Sequence, residues 1–246
     1  MTADLQGMVA VVTGSSSGIG EAVARQLSLT GANLVVNSST SVAEGQRVAA
    51  ALPTDSIYIQ ADVSDQHQCQ GLVEQALNRF GRLDILVNNA GWTTQVDHAD
   101  LEGLTDEIFM KTFQVNVFGT WWVTKAAMPH LRNAPDGSVT MVTSVAGIRP
   151  VGSSIAYAMS KAALNHMTVL LAKSYGPVRV NAVAPGLIDT PWTADWEAAR
   201  QMVTATAPLG RTGTPDDVAA AVLGLVTNPY VSGEVLVVDG GLTQSI

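Results

Sequence analysis

A single cysteine, Cys69, occurs in the 246 residues, so no disulfide can close within the chain, and the residue reads as helix packing. The four histidines form no group with it, or with one another, at a spacing that suits zinc. Positive charge is also scarce. Lys and Arg total 13 against 21 Asp and Glu, a formal charge of -8, which sets a nucleic-acid partner aside. No apolar run approaches the roughly 18 residues of a membrane span. The opening "MTADLQGMVAVVTG" lacks a basic start followed by a long apolar stretch, so the expectation is a soluble, cytoplasmic protein with no membrane partner. Internal repeats, low-complexity tracts and charged linkers are missing too, which leaves one domain over 1–246.

What is present is a regular alternation. The runs "MVAVVT", "ANLVVN", "SIYIQA", "LDILVN", "SVTMVT", "VRVNAV" and "EVLVVD" are rich in valine, isoleucine and leucine, and most are apolar at successive positions. That pattern suits strands covered on both faces, as in a parallel sheet. Segments 18–30, 42–52, 66–80, 104–133 and 156–175 have helical length between them, giving a βαβ order and an α/β fold class. The segment 186–213, "GLIDTPWTADWEAARQMVTATAPLGRTG", breaks the rhythm and is expected to act as a substrate lid.

In open sheets of this kind ligands bind beyond the carboxyl ends of the strands. After the first strand stands "TGSSSGIG", Thr13 to Gly20, where Gly14 permits a tight turn, Gly18 a close approach of backbone to pyrophosphate, and Gly20 close helix packing. Farther along, "YAMSK" places Tyr157 and Lys161 four apart, on one helical face. A free tyrosine, with a pKa of about 10, exchanges protons poorly near neutrality and needs a neighbouring positive charge. Lys161 is positioned to supply it. Taken singly, the same pair also reads as half-buried residues of an amphipathic helix, Ser144 as a strand-end cap and Asn116 as a mild helix destabiliser.

Together with "ADV" at 61–63, "NNAG" at 88–91, Asn116, Ser144, "PG" at 185–186 and "VDGG" at 238–241, these motifs resemble the short-chain dehydrogenase/reductase family over nearly the whole chain. The intervals of thirteen from Ser144 to Tyr157 and four from Tyr157 to Lys161 are that family's usual ones. The resemblance implies a Rossmann-type, doubly wound parallel sheet of seven strands in the order 3-2-1-4-5-6-7. It implies Tyr157 as general acid/base, Ser144 on the substrate oxygen, Lys161 on the nicotinamide ribose, and Asn116 holding a water in a proton relay. It also implies a dinucleotide along Gly14, Ser15, Ser16, Ser17, Gly18, Ile19 and Gly20, with Asp62 and Val63 at the adenine. Asp62 equally suits a cap on the next helix. Asn88 is expected to steady the sheet, Asn89 to belong to the cofactor wall, and Ala90 and Gly91 to line the adenine-ribose side. Pro185, Gly186, Ile188 and Thr190 complete the cofactor set.

At the end of the second strand, Asn37, Ser38 and Ser39 stand where NAD-preferring enzymes carry a carboxylate for the ribose 2′-hydroxyl, so NADP(H) is favoured. No arginine accompanies them, which leaves NAD(H) open. Trp92, Trp192 and Trp196, with Val145, Ile148, Ile155, Leu187 and Met202, suggest an apolar substrate pocket. Asp195 and Glu197 on the lid speak against an anion. The expected substrate is therefore a neutral, hydrophobic ketone or aldehyde, reduced reversibly to the alcohol. Two alternatives stay open: a β-ketoacyl-carrier-protein reductase, for which Arg132, Arg149 and Lys173 are the available docking cations, and a non-catalytic dinucleotide-binding protein. By resemblance, helices near 104–133 and 156–175 and the C-terminal "GEVLVVDGGLTQSI" would build a homotetramer.

Overall fold

Seven strands, β1 (Val9–Val12), β2 (Asn33–Ser38), β3 (Ser56–Gln60), β4 (Ile85–Asn88), β5 (Ser138–Val142), β6 (Arg179–Pro185) and β7 (Val235–Val238), form one parallel sheet. Its order is β3-β2-β1-β4-β5-β6-β7, as expected. The computed structural model describes residues 4–245; the expected domain bounds at 1 and 246, and the first three residues of the opening segment, lie outside them. The continuous apolar runs are explained by two cores. Val11, Val35, Leu86, Val139 and Val180 face one, whereas Ala10, Val12, Leu34, Ile85 and Val87 face the other. Every second residue thus serves a different layer, and neither face is left to water.

On one face α1 (Gly18–Leu29) packs against α8 (Pro215–Thr227). The other face carries α3 (Gln66–Phe80), α4 (Asp106–Phe113), α5 (Thr120–Leu131) and α6 (Ile155–Ser174), while α2 (Val42–Ala51) covers β2 and β3. Local chemistry fixes where these helices begin. Asp65 caps α3 by accepting the His67 and Gln68 N–H groups, so Asp65 rather than Asp62 is the cap. Thr214 and Asp217 form a reciprocal capping box on α8, with Pro215 at its first position. Burial pushes the Cys69 thiol up to about 12 and makes it inert packing. No helix among the described residues is long and apolar enough to cross a membrane.

The expected long helix over 104–133 is divided. Between α4 and α5, residues Gln114–Gly119 wind as a π-helix. A Cβ on Gly119 would lie 2.7 Å from the Val63 carbonyl oxygen, so the helix backbone is pressed against the β3–α3 connection there. The lid segment also folds regularly, with a 3₁₀ turn at Pro191–Thr193 and α7 at Glu197–Thr206. A parallel bridge between Ile188 and Gly213 closes its base.

Candidate active site

One large cleft, about 1470 Å³, opens across the carboxyl ends of the strands. Its floor begins at the glycine turn. Gly14 has φ 62, and a Cβ there would stand 2.8 Å from Ala90 Cα; one on Gly20 would run into the Gly14 carbonyl oxygen. The β1 turn, the start of α1 and the segment after β4 therefore pack closely on one another. Asn89 fastens them, its Nδ2 donating to the carbonyls of Thr13 and Gly14, while its own N–H donates to Thr13 Oγ1. Ser17 precedes α1 without a side-chain cap, so the first N–H groups of the helix face the cleft, an arrangement that suits pyrophosphate.

Two of the expected cofactor residues serve the scaffold instead. Ser15 is fully buried, donates to the Val12 carbonyl, accepts the Asn37 N–H and does not reach the cleft wall. Gly20 likewise lies behind the wall, where the missing side chain permits the packing just described. The Asn37 amide is committed as well: Nδ2 donates to Ile59 and Ala61 carbonyls, and Oδ1 accepts the Gly14 N–H. Ser16, Ser17, Gly18, Ile19, Ser38, Ser39, Asp62, Val63, Asn89, Ala90 and Gly91 line the cleft. Pro185, Gly186, Ile188 and Thr190 line it from β6 and the lid. Asp62 makes an Asx turn onto Ser64. Asn88 donates to Thr124 Oγ1, linking β4 to α5 as the sheet-steadying reading requires.

The reacting end is set by the start of α6. Ser154 caps this helix by accepting the Tyr157 N–H, which puts Tyr157 in the first turn and Lys161 one turn on. Ser144 follows β5 and caps the short 3₁₀ turn Val145–Gly147, its Oγ accepting the Ala146 N–H. Lys161 is 3% exposed; its Nζ donates to the Val142 carbonyl at 2.9 Å and lies 5.5 Å from the centre of the Tyr157 ring. Burial pushes Tyr157 up to about 12, with the Ser144 hydroxyl pulling the other way, and burial draws Lys161 down to about 8. The expectation that the lysine lowers the phenol is therefore not met in the chain alone. Loss of water acts on both groups against their charged forms, and the ammonium faces the ring rather than closing on the hydroxyl.

Asn116, in the π-helical stretch, sits behind this cluster and off the cleft wall. Its Oδ1 accepts the Trp92 N–H at 2.7 Å, and its Nδ2 donates to the Trp92 carbonyl and to Ser160 Oγ. It holds the NNAG turn in place with its whole side chain. On the expected substrate side, Trp92, Val145, Leu187, Trp192, Trp196 and Met202 reach the cleft, whereas Ile148 and Ile155 do not. Asp195 and Glu197 also stand off the wall, Glu197 pairing with Arg200, so the lid acids give no argument against an anion.

Sequence reading missed a wall built from Thr93, Val96, Met110, Lys111 and Val151. The segment after Trp92 is sewn to the loop before α6: Thr93 and Ser153 hydroxyls meet at 2.6 Å, and the Val96 N–H donates to the Ser153 carbonyl. Lys111 Nζ rests 4.4 Å over the Trp92 ring. No periodicity marks residues 92–98, and only the helical pattern of α4 offered a signal.

A doubly wound sheet, an uncapped helix behind a glycine turn and a Tyr–Ser pair backed by a buried lysine at the other end of one cleft define a dinucleotide-dependent oxidoreductase. Comparison with known proteins narrows the class. A family model described as enoyl-(acyl carrier protein) reductase matches residues 14–243. A Streptomyces violaceoruber protein assigned as ketoacyl reductase 2 of the granaticin polyketide synthase is 54% identical over 237 residues, 95% of each chain. The 3-oxoacyl-acyl-carrier-protein reductase of Thermotoga maritima is 36% identical over 245 residues, 97% of this chain and 98% of its own. Among solved structures, levodione reductase superposes with a TM-score of 0.90 at 30% identity, covering 98% of this chain and 99% of its own. The chain belongs to the short-chain dehydrogenase/reductase family. It is an NAD(P)-dependent oxidoreductase acting between CH–OH and C=O groups.

Proposed function

We propose that the protein reduces a ketone or aldehyde borne on a hydrophobic skeleton, using NADP(H), with Tyr157 as general acid and, in reverse, general base. The observation that carries this reading is the Tyr157 hydroxyl on the cleft wall beside Ser144, with the buried Lys161 ammonium against its ring. When bound, the nicotinamide gives or takes the hydride at the carbonyl carbon. Tyr157, held protonated by burial, gives its proton to the carbonyl oxygen, and the Ser144 hydroxyl donates a hydrogen bond to that same oxygen. Lys161 binds the ribose hydroxyls and offsets charge on the phenol as the proton leaves. Asn116 contributes by fixing Trp92 and the backbone beside Lys161.

The absence of a carboxylate at the β2 end supports NADP(H), as does the uncapped N-terminus of α2 behind Ser41. Ser38 contributes less than its position suggests, because its Oγ donates to the Ser41 carbonyl and meets the Tyr58 hydroxyl at 2.9 Å. The hydroxyls of Ser39, Thr40 and Ser41 are the available donors on this wall. Arg47 is paired with Glu21. The preference over NAD(H) is accordingly modest.

A second reading of the substrate, a β-ketoacyl chain presented as a thioester, is favoured by the similarity to the granaticin ketoacyl reductase over 95% of the chain. The protein would work in the cytoplasm as a homotetramer. Support for assembly comes from exposed Phe118 in the π-helical stretch, Trp121 at the head of α5, Met159, Val169 and Leu170 on α6, and Leu236 and Val237 on the sheet's edge strand.

The test is the initial rate of NADPH and NADH oxidation over hydrophobic ketones, aldehydes and a β-ketoacyl thioester, by the wild type and Tyr157→Phe. Turnover in the wild type that falls by roughly 10²–10⁴-fold in the variant is expected. Equal rates in the two proteins would remove Tyr157 from the reaction. Binding of dinucleotide without turnover of any substrate would favour the non-catalytic alternative.

A further inference from the structure

The first turn of the lid carries a side chain that the reaction does not call for. Trp192 follows Pro191 in the 3₁₀ turn, lines the cleft, and reaches the opposite wall. A carbon built at the Cβ position of Gly91 would stand 3.4 Å from Trp192 Cη2, 3.5 Å from Asn116 Oδ1 and 3.7 Å from Lys161 Nζ. All three are ordinary contact distances, so the gap between the indole and the Gly91 backbone is one carbon thick. A furanose ring needs far more room, about 7 Å from wall to wall if each of its faces keeps a normal carbon contact. Gly91 lies beside Lys161, at the reacting end of the cleft rather than at its adenine end. The indole and a nicotinamide ribose held by Lys161 therefore claim the same volume.

The backbone under this side chain is firmly tied. Thr193 Oγ1 donates to the Ile188 carbonyl at 2.7 Å, and Arg200 donates to Asp189 Oδ1 at 3.0 Å and to the Thr193 carbonyl at 3.4 Å. Thr212 donates to the other Asp189 oxygen at 2.6 Å. Trp192 itself is 47% exposed, so packing does not enclose the ring.

We propose that Trp192 is a gate on the dinucleotide groove: its indole closes the ribose place against Gly91 and rotates out to admit the dinucleotide, while the turn that carries it stays fixed. The inference rests on the dinucleotide reading above. A closed gate leaves only a fraction of the protein competent to bind, and the apparent Kd is raised by the inverse of that fraction. It also sets an order, because the carbonyl compound has its partner in place only after the gate has opened.

The experiment measures NADP⁺ and NAD⁺ binding by titration calorimetry to the wild type, W192F and W192A, with thermal melts to show that each is folded. Stopped-flow tryptophan emission on mixing with NADP⁺ accompanies it. With the closed form at about nine-tenths, W192A binds about tenfold tighter than the wild type and W192F falls between. In the wild type the observed rate of the emission change levels off at high NADP⁺, and that phase is missing from W192F. Unchanged or weaker binding by folded W192A overturns the gate and leaves the cofactor reading standing. No heat from any of the three proteins with either dinucleotide overturns the cofactor reading, and the gate with it.

Discussion

Lys161 is the side chain whose charge is most finely set. Fully buried and drawn down to about 8, it carries its proton below that pH and loses it above, whereas Tyr157, pushed up to about 12, stays protonated across the same range. In the proposed reaction the phenol is the proton donor and the ammonium its support, so the upper limit of the reductive direction would belong to the lysine. The expected profile of kcat/KM for NADPH is level below neutrality and falls as pH rises through about 8. Lys161→Met should give a lower profile with no break in that region. A wild-type profile level up to about pH 10, where an unperturbed lysine would titrate, would contradict the assignment. The sequence showed both residues and their spacing, since i and i+4 share a helix face whatever surrounds them. It did not show that burial dominates the phenol, with the Ser144 hydroxyl opposing it, because desolvation depends on what the rest of the fold places around the pair. Asn116 is similar. Its place in the chain was legible, but its grip on Trp92 needed residues 24 positions apart to be brought together.

At the scale of elements, the glycine turn and the π-helical stretch show two kinds of constraint. The turn is local and readable: a Cβ on Gly20 would run into the Gly14 carbonyl oxygen and come within 2.8 Å of Ser15 Cα. Gly20→Ala is therefore expected to abolish dinucleotide binding in calorimetry by displacing the turn. It should also lower the Tm, the cost being on the order of the 1–3 kcal/mol of an overpacked core site. Retention of wild-type affinity would show that α1 can shift without moving the phosphate site. The π-helix was hidden in what read as a single helix over 104–133, because the close approach of Gly119 to the β3–α3 connection that accompanies it joins residues far apart in the chain. The lid was legible as an interruption. Its internal order, with Arg200 tying α7 to Asp189 and Thr193, was not.

For the whole molecule, the apolar residues left on α5, α6 and β7 make the strongest statement about assembly. Trp121, Met159, Val169, Leu170, Leu236 and Val237 are each more than a third exposed, which is costly if they stay in water. Sedimentation velocity at micromolar concentration should give a tetramer, and Leu170→Glu should shift it to smaller species without loss of helical signal. A wild-type monomer would remove the homotetramer reading. The sequence by itself determined the strand count, the parallel order implied by family resemblance, and the Ser144, Tyr157 and Lys161 set. The strand count and the residue spacings depend on periodicities that a chain carries wherever it folds, and the order came with the resemblance those motifs carry. Only the tertiary structure decided which polar residues face the cleft and which hold it together, where the second substrate wall lies, and how Trp192 meets Gly91. Those are contacts between segments far apart in the chain, and burial, close approach and hydrogen-bond commitment exist only once the sheet has brought them together.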